Sequence, residues 1–197
     1  MYKMFYNSKD INDCLYIVFD DEKFPDEVKK NGNVVTLYKE GKLIGINLFE
    51  FSKIYNKDNI GCLVSVDDFI LDKINEELVA AGLDKLESLK ESGYKVFEVT
   101  RVIEHPLDEK LSVVYLTNKT ETKYQSITRY KNLEVGTKVV GVLDGTLKLD
   151  GSVYHKYVSH NIESNVELTS AKDLGLGDNF KEAYLPTEKE TGEDFFF

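Results

Sequence analysis

Short apolar runs separated by polar residues open the chain and predict strands. The segments KMFYN and DCLYIVF are rich in the aromatic and β-branched residues that suit a pleated surface. The segment NVVTLYKEGKLIGINLFEF predicts a hairpin, because its two apolar runs flank a polar turn in which Gly41 can take a positive φ. We therefore expect a small sheet in this part of the chain.

After this sheet the spacing of the apolar residues changes to three and four, which is the period of a helix. An amphipathic helix is predicted over residues 66–81, with Ser65 as its N-cap and Gly82 as its C-terminal stop. Its apolar stripe is predicted to consist of Val66, Phe69, Ile70, Ile74, Leu78 and Val79. Because such a stripe covers one face of a sheet, we expect residues 1–88 to form a small α+β domain of unknown role.

Residues 84–93 are charged and end in Ser-Gly, which predicts a short helix or a linker, and we place the domain boundary here. Beyond it, turn signals separate five strand candidates: YKVFEVTRVI, LSVVYLTN, KYQSITRY, TKVVGVLDG and SVYHKYVSH. Five such strands suit an all-β, five-stranded Greek-key barrel of the OB type. After them, Ser170 or Thr169 can cap a helical turn that Gly175 or Gly177 ends.

Composition indicates a globular chain without a membrane anchor. No apolar run approaches the roughly 18 residues that a membrane helix needs. The N-terminus lacks the basic region and apolar core of an export signal, so a cytoplasmic location is expected. Cys14 and Cys62 lie far apart without metal-ligand spacing, and we expect reduced, buried thiols with neither a disulfide nor zinc.

Charge is distributed unevenly around a net value of −10. Residues 1–94 carry 12 basic and 18 acidic groups (−6), residues 95–160 carry 10 and 8 (+2), and residues 161–197 carry 3 and 9 (−6). The net charge argues against a nonspecific polyanion binder, because affinity for phosphates comes largely from Lys and Arg. The central segment is the one with a basic balance.

Candidate catalytic groups are weak. His155 and His160 are five residues apart, which fits no common metal-ligand spacing, and His105 has no nucleophile near it in sequence. Asp108 and Glu109 with Lys110 could form a catalytic cluster, although charged residues in a turn are usually a solvated surface. GxSxG, Walker A and GxGxxG motifs do not occur. We expect no enzyme activity, metal, cofactor or small-molecule substrate.

Cations and aromatic residues alternate through the predicted barrel, which favours a nucleic-acid surface. The cations are Lys95, Arg101, Lys110, Lys119, Lys123, Arg129, Lys131, Lys138 and Lys148, and the rings are Tyr115, Tyr124, Tyr130 and Tyr154. Such a face could pair cations with phosphates and stack rings on bases. On composition alone it is equally plausible that half of the tyrosines belong to the core and the lysines only solubilise the surface.

Three motifs resemble the tRNA-binding domain found in the bacterial phenylalanyl-tRNA synthetase β subunit and in many methionyl-tRNA synthetases. HPLDEKLSVVYL is similar to its His-Pro turn, NLEVGTKVVGVLDGTL to its Asn-Val and Gly-x-Lys-Val segment, and SNVELTSAKDLGL to its closing Leu-Gly-Leu signature. The resemblance spans about residues 93–197. With the segments ahead of it, the chain also resembles the standalone YtpR-like tRNA-binding proteins of bacteria.

The resemblance implies an OB barrel with a C-terminal extension over residues 93–197, which binds structured tRNA by shape and backbone without catalysis. It also implies that the His-Pro turn joins the first two barrel strands and that Lys110 faces outward. The expected RNA-contacting residues are Lys110, Arg129, Lys131, Asn132, Lys138 and Ser164. Lys and Arg would neutralise phosphates, and Asn132 and Ser164 would donate hydrogen bonds.

The chain departs from the family pattern at three places. Residues 127–132 replace Val-Cys-Gly-Ala-Pro-Asn, His160-Asn161 replaces Arg-Gly, and Val166-Glu167 replaces Gly-Met. Losing an Arg and gaining a Glu should weaken phosphate contact. The alternative is therefore a protein-interaction or dimerisation module. The terminal Phe195, Phe196 and Phe197 would then be an exposed anchor, unless they tuck against their own barrel.

Overall fold

The computed structural model describes residues 2–8, 13–21, 23–56, 60–62 and 66–197, and for residues 60–62 it describes the backbone alone. Packing of the chain divides it into two compact units. The first contains residues 1–90 and 149–151, and the second contains residues 91–148 and 152–197. No helix in the described ranges has the length and apolar character that a membrane span requires.

A six-stranded antiparallel sheet forms most of the first unit. Its strands are β1 (Lys3–Asn7), β2 (Cys14–Val18), β3 (Glu27–Asn31), β4 (Val34–Lys39), β5 (Lys42–Phe49) and β6 (Ile60–Cys62), in the order β3-β4-β5-β2-β1-β6. The predicted strands in KMFYN and DCLYIVF are β1 and β2. The predicted hairpin is β4 and β5, and Gly41 in its turn has a φ of 76°. The sequence pattern predicts neither β3 nor β6.

One helix, α1 (Asp68–Ala80), lies within the predicted residues 66–81. The side chain of Asp67 caps it by accepting a hydrogen bond from the Ile70 N–H at 2.9 Å. The predicted cap, Ser65, lies outside the described residues. Gly82 ends the helix with a φ of 82°, as predicted, because a residue with a side chain rarely adopts this conformation.

The helix shares a core with the strands, but its apolar stripe is narrower than predicted. Ile74 and Leu78 are fully buried among residues of β1, β2, β4 and β5. Phe69 is 67% exposed and Val79 is 49% exposed, so their predicted places in the stripe are wrong. Each lies about 100° around the helix from a core-facing neighbour. Leu71, which was not predicted, is buried instead.

The segment that follows α1 is irregular, so a short helix over residues 84–93 is ruled out. Leu86 and Leu89 pack against the core of the first unit. The Asn75 side chain holds this segment: its Nδ2–H donates to the Leu86 carbonyl at 3.0 Å, and its Oδ1 accepts from the Leu86 N–H at 2.7 Å. The segment therefore belongs to the packing of the first unit.

The second unit is a nearly closed, five-stranded antiparallel barrel. Its strands run in the order β15-β10-β7-β8-β9, and two two-stranded hairpins, β11–β12 and β13–β14, lie between β10 and β15 in sequence. The strands are β7 (Tyr94–His105), β8 (Asp108–Thr117), β9 (Tyr124–Thr128), β10 (Lys138–Leu143), β11 (Thr146–Leu147), β12 (Val153–Tyr154), β13 (Tyr157–Ser159), β14 (Ile162–Ser164) and β15 (Val166–Leu168).

Hydrogen bonds around Asn165, which lies between β14 and β15, bring the open edge of β9 close to β15. The Asn165 N–H donates to the Gln125 carbonyl at 3.0 Å, and its Oδ1 accepts from the Gln125 N–H at 2.9 Å. A bulge near Thr100 lets the long strand β7 bend around the core, because an extra residue on one strand increases its local twist. Phe97, Val114 and Val166 are among the fully buried residues of this core.

The predicted fifth barrel strand, SVYHKYVSH, is wrong. That segment forms β12 and β13, in which Tyr157 is 46% and Val158 is 68% exposed. The fifth strand is β15, which pairs with β10 and buries Val166 and Leu168. Gly141 on β10 permits this approach, because a Cβ at that position would collide with the Val166 side chain.

Candidate functional site

The His-Pro turn joins the first two barrel strands, as predicted. β7 ends at His105 and β8 begins at Asp108, with Pro106 and Leu107 between them. The Asp108 carboxylate accepts the Lys110 N–H at 2.9 Å, which fixes the start of β8. The side chain of Lys110 is exposed, so the prediction that it faces outward is confirmed.

Three of the predicted cations lie at the same end of the β8–β9 pair, and we call them the basic cluster: Lys110, Arg129 and Lys131. Ser112 of β8 pairs with Thr128 of β9. Lys110 precedes Ser112 by two residues, and Arg129 follows Thr128 directly. The Lys131 Nζ donates to the Ser112 Oγ at 3.2 Å. The pairing of β8 with β9 therefore brings together cations that are some twenty residues apart in sequence.

All three side chains of the basic cluster are exposed. Within the described parts of the chain, neither Lys110 nor Arg129 has an ion-pair partner. Acidic residues are present at the same end, since Glu104 pairs with Ser112 on the β7 side and Glu109 lies beside Lys110. The charge here is therefore mixed, with cationic groups that are free to meet an anion.

Asn132 and Ser164 hold the barrel together. The Asn132 Nδ2–H donates to the Ala183 carbonyl, and its Oδ1 accepts the Ala183 N–H, both at 2.9 Å. Ser164 is 1% exposed, its Oγ accepts the Ile127 N–H at 3.2 Å, and its carbonyl accepts the Tyr154 hydroxyl at 2.8 Å. The structure thus engages these two predicted hydrogen-bond donors in contacts with their own chain.

Lys138 is also tied to its own chain. Its Nζ donates to the Lys189 carbonyl at 3.1 Å and lies 3.0 Å from the Glu190 Oε1. The hydrogen bond and the charge of Lys138 lower the pKa of the Glu190 carboxyl. Lys138 therefore anchors the C-terminal tail and does not join the basic cluster.

Most of the predicted stacking tyrosines belong to the interior. Tyr124 and Tyr130 pack against the barrel core, and Tyr154 is 6% exposed. Burial raises the pKa of both Tyr130 and Tyr154 to about 12. Tyr115 differs, since the Arg101 guanidinium lies 5.7 Å from its ring centroid. Tyr115 also lines a cleft of about 450 Å³ with Lys123 and Gln125, among others.

The surroundings of His105 and Cys14 indicate a role in packing. His105 is 5% exposed, its Nδ1 accepts the Leu107 N–H at 3.3 Å, and its ring lies 5.8 Å from that of His160. In the described ranges, no three His, Cys, Asp or Glu side chains are grouped to hold a metal ion. Cys14 is a free, buried thiol whose pKa is raised to about 11 by burial. The side chain of Cys62 is outside the described atoms.

The C-terminal phenylalanines were expected either to form an exposed anchor or to tuck against their own barrel, and the structure shows both arrangements. Phe196 packs edge-on against Tyr94 at 5.0 Å, and Phe195 packs against Tyr184 at 5.7 Å. Phe197 is 43% exposed. Asp194 fixes the tail, since its carboxylate accepts the Ser92 N–H and hydroxyl, both at 2.7 Å. Two of the three rings therefore tuck against their own unit.

The loop at residues 171–182 carries an exposed aromatic residue that was not predicted from the sequence. Phe180 is 60% exposed, and the ammonium groups of Lys172 and Lys181 lie within 6.0 Å of its ring centroid. The helical turn ahead of it was predicted: Ser170 caps it, and Gly175 ends it with a φ of 69°. In the sequence Phe180 only adjoins Lys181, which does not indicate exposure by itself.

Comparison with known proteins places one family on the first unit. The family described as "Domain of unknown function (DUF4479)" matches residues 21–88. No curated protein matches the chain. The matched residues include β3, β4, β5 and α1, whereas the basic cluster and the loop at residues 171–182 lie outside the match.

Proposed function

We propose that the chain is a noncatalytic tRNA-binding protein whose second unit is an OB fold. The observation that carries this proposal is the basic cluster at one end of the β8–β9 pair. β8 and β9 are the second and third strands of the barrel, and the OB fold commonly binds oligonucleotides on those strands. The motif resemblance over residues 93–197 supports the same function.

The basic cluster would act on the phosphate backbone. Lys110, Arg129 and Lys131 are exposed cations, and each phosphate that they neutralise releases condensed counterions. Structured RNA is recognised mostly by shape and by contacts to phosphate and 2′-hydroxyl groups. Asn132, Lys138 and Ser164 have a different role in this proposal, because they shape the barrel and tail that present the cluster.

The negative charge on the rest of the chain would limit RNA binding to the basic cluster. The whole chain carries a net charge of −10, so most of its surface repels a polyanion. A binding surface that consists of a few cations then gives modest affinity with a measurable salt dependence. Binding would take place in the cytoplasm, where the tRNA is found.

The alternative is a protein-interaction or dimerisation module. The tail offers this function little support, because Phe195 and Phe196 pack against rings of their own unit. Homodimer formation remains a prediction that light scattering can test.

Fluorescence anisotropy of labelled bulk tRNA, titrated with the full chain at several salt concentrations, tests the proposal. The double variant Arg129→Glu, Lys131→Glu should weaken binding about 10-fold or more, because two phosphate contacts become repulsive. It should also reduce the slope of log affinity against log salt by about 2, or about 1 for each contact. Thermal unfolding should change little, because both side chains are exposed.

The matched control is Lys29→Glu with Lys30→Glu on β3, which makes the same change in net charge on an exposed strand of the first unit. This control should bind tRNA nearly as the unaltered chain does. Equal weakening in both double variants would indicate a general charge effect and contradict the proposed site. Absence of tRNA binding by the unaltered chain at low salt would overturn the proposed function and favour the protein-interaction alternative.

A further inference from the structure

An exposed aromatic ring lies between two ammonium groups in the loop at residues 171–182. Phe180 is 60% exposed, although burying a phenylalanine side chain normally stabilises a fold. The Lys172 Nζ is 5.6 Å from its ring centroid, and the Lys181 Nζ is 6.0 Å away. These are cation–π distances, and at an exposed site such contacts are weak enough to exchange readily for another partner.

The loop holds Phe180 in a defined place. The Asp173 carboxylate accepts the N–H of Ser170 at 2.8 Å and its hydroxyl at 2.7 Å. Leu174 is buried, and the Lys172 N–H donates to the Asn179 carbonyl at 3.0 Å. Little conformational entropy would therefore be lost when a ligand contacts the ring.

Two contacts join this loop to the segment that carries Arg129 and Lys131. The Tyr130 hydroxyl donates to the Asp173 carboxylate at 3.3 Å. At the other end of the loop, Asn132 makes both of its amide hydrogen bonds to Ala183, three residues after Phe180. The loop that carries the exposed ring is therefore joined at two places to the segment that carries Arg129 and Lys131.

We propose that Phe180 is a stacking site for one unpaired nucleobase of the RNA that the basic cluster binds. The proposal rests on the proposed function and adds to it the kind of RNA segment that is recognised. A base would replace an ammonium group over the ring, because both bind to the same π-face. Stacking on aromatic side chains is the usual way to hold unpaired bases, and it accepts every base because each has a π-face.

The charge of the loop points to stacking as the main source of affinity at this position. Lys172 and Lys181 are accompanied by Asp173, Asp178 and Glu182, so the loop has no cationic excess. Asp173 is engaged with Ser170, and Glu182 accepts a hydrogen bond from Asn179. Removing the ring should therefore lower the affinity while leaving the salt dependence nearly unchanged.

Two RNAs distinguish this site from the basic cluster: a blunt hairpin, and the same hairpin with a four-nucleotide single-stranded 3′ extension. The full chain should bind the extended hairpin more tightly. Phe180→Ala should weaken that binding about 5- to 150-fold, the range found for removal of one stacked base contact, and should leave the blunt hairpin unaffected. Phe180→Tyr should retain the affinity, whereas Phe180→Leu should lose it.

The matched control is Phe24→Ala, because Phe24 is 87% exposed and lies in the first unit. It should change neither affinity. If the unaltered chain binds both hairpins and Phe180→Ala changes neither, the stacking site is overturned while the proposed function stands. Full affinity in Phe180→Leu would also overturn it, since an aliphatic side chain cannot stack as a ring does. If the unaltered chain binds tRNA but neither hairpin, the stacking site alone is overturned, and if it binds none of the three RNAs, both proposals fail.

Discussion

The two units use the same polar contact to hold an irregular segment, and they differ in how deeply they bury it. In the first unit the amide of Asn75 makes two hydrogen bonds to Leu86, and in the second unit the amide of Asn132 makes two to Ala183. Asn75 is 5% exposed, whereas Asn132 is half-buried. The chain between the bonded residues is also much shorter in the first unit.

The similar hydrogen bonds of Asn75 and Asn132 help to interpret the motif that contains Asn132. Asn75 lies in a helix of the unit for which no RNA contact is proposed, yet its amide makes the same pair of bonds. An asparagine in a motif that resembles a tRNA-binding family can therefore serve the packing of the chain alone. The polar residues of the motif divide into those that hold the barrel, such as Asn132 and Ser164, and those that face water, such as Lys110.

The largest loss of stability is expected for Asn75→Ala. The substitution removes a buried amide and leaves the N–H and carbonyl of half-buried Leu86 without these partners, so it should lower the free energy of unfolding by about 3 kcal/mol. Urea unfolding followed by far-UV circular dichroism measures this. Asn31→Ala is the control, because exposed Asn31 makes one long hydrogen bond, at 3.3 Å, to Ala81. It should cost less than about 1 kcal/mol.

The next prediction concerns how stability depends on pH in the second unit. The Tyr154 phenol can titrate, whereas the Asn132 amide cannot. Burial raises the pKa of Tyr154 to about 12 from its ordinary value of 10.0. Between these values the unfolded chain loses the proton and the folded chain keeps it, so stability falls as pH rises. The loss attributable to Tyr154 should reach about 2–3 kcal/mol near pH 12 and be absent below about pH 10.

Tyr154→Phe checks this sign. Its free energy of unfolding should be lower at neutral pH by about 1 kcal/mol, because the bond to the Ser164 carbonyl is lost. Above about pH 10 it should fall less steeply than that of the unaltered chain. A residual slope is expected from Tyr130, whose pKa is also about 12. Equal slopes for both proteins in urea unfolding would contradict the assignment.

A smaller effect on stability than that of Asn75→Ala, and the sharpest test of the comparison, is expected for Asn132→Ala. Half-burial of the amide should limit the cost to about 2 kcal/mol, because water can replace part of the lost bonding. Affinity for tRNA should be unchanged below the unfolding temperature. A loss of affinity as large as that of the double variant at Arg129 and Lys131 would mean that Asn132 contacts RNA after all.

Two of the strands that could not be identified from the sequence, β3 and β15, lack the usual signals of a strand. β3 has the sequence EVKKN and is exposed throughout, so it lacks the apolar run by which buried strands are recognised. β15 is only three residues long, and the longer, more aromatic segment at 152–160 was more typical of a strand. In both cases pairing with a neighbouring strand decides the structure, and pairing is a tertiary property.

Residues of the candidate site could be predicted from the sequence only where the exposure of their side chains could be predicted. Lys110, Arg129 and Lys131 are long cations at strand ends, where sequence alone favours a solvated position. Ser164 is a small polar residue whose burial depends on how the segment before β15 meets Ile127 of β9. Phe180 escaped prediction because apolar residues are expected inside, and only the tertiary structure reveals an exposed one.

The lysines of β3 have a consequence for the behaviour of the chain at high concentration. β3 is the outermost described strand of its sheet, so one row of its backbone groups is open to pairing with another chain. If two copies met there in antiparallel register about Lys29, the two Lys29 side chains would face each other. Like charges directly opposite are unfavourable. The first unit should therefore resist growth into fibrils from this edge.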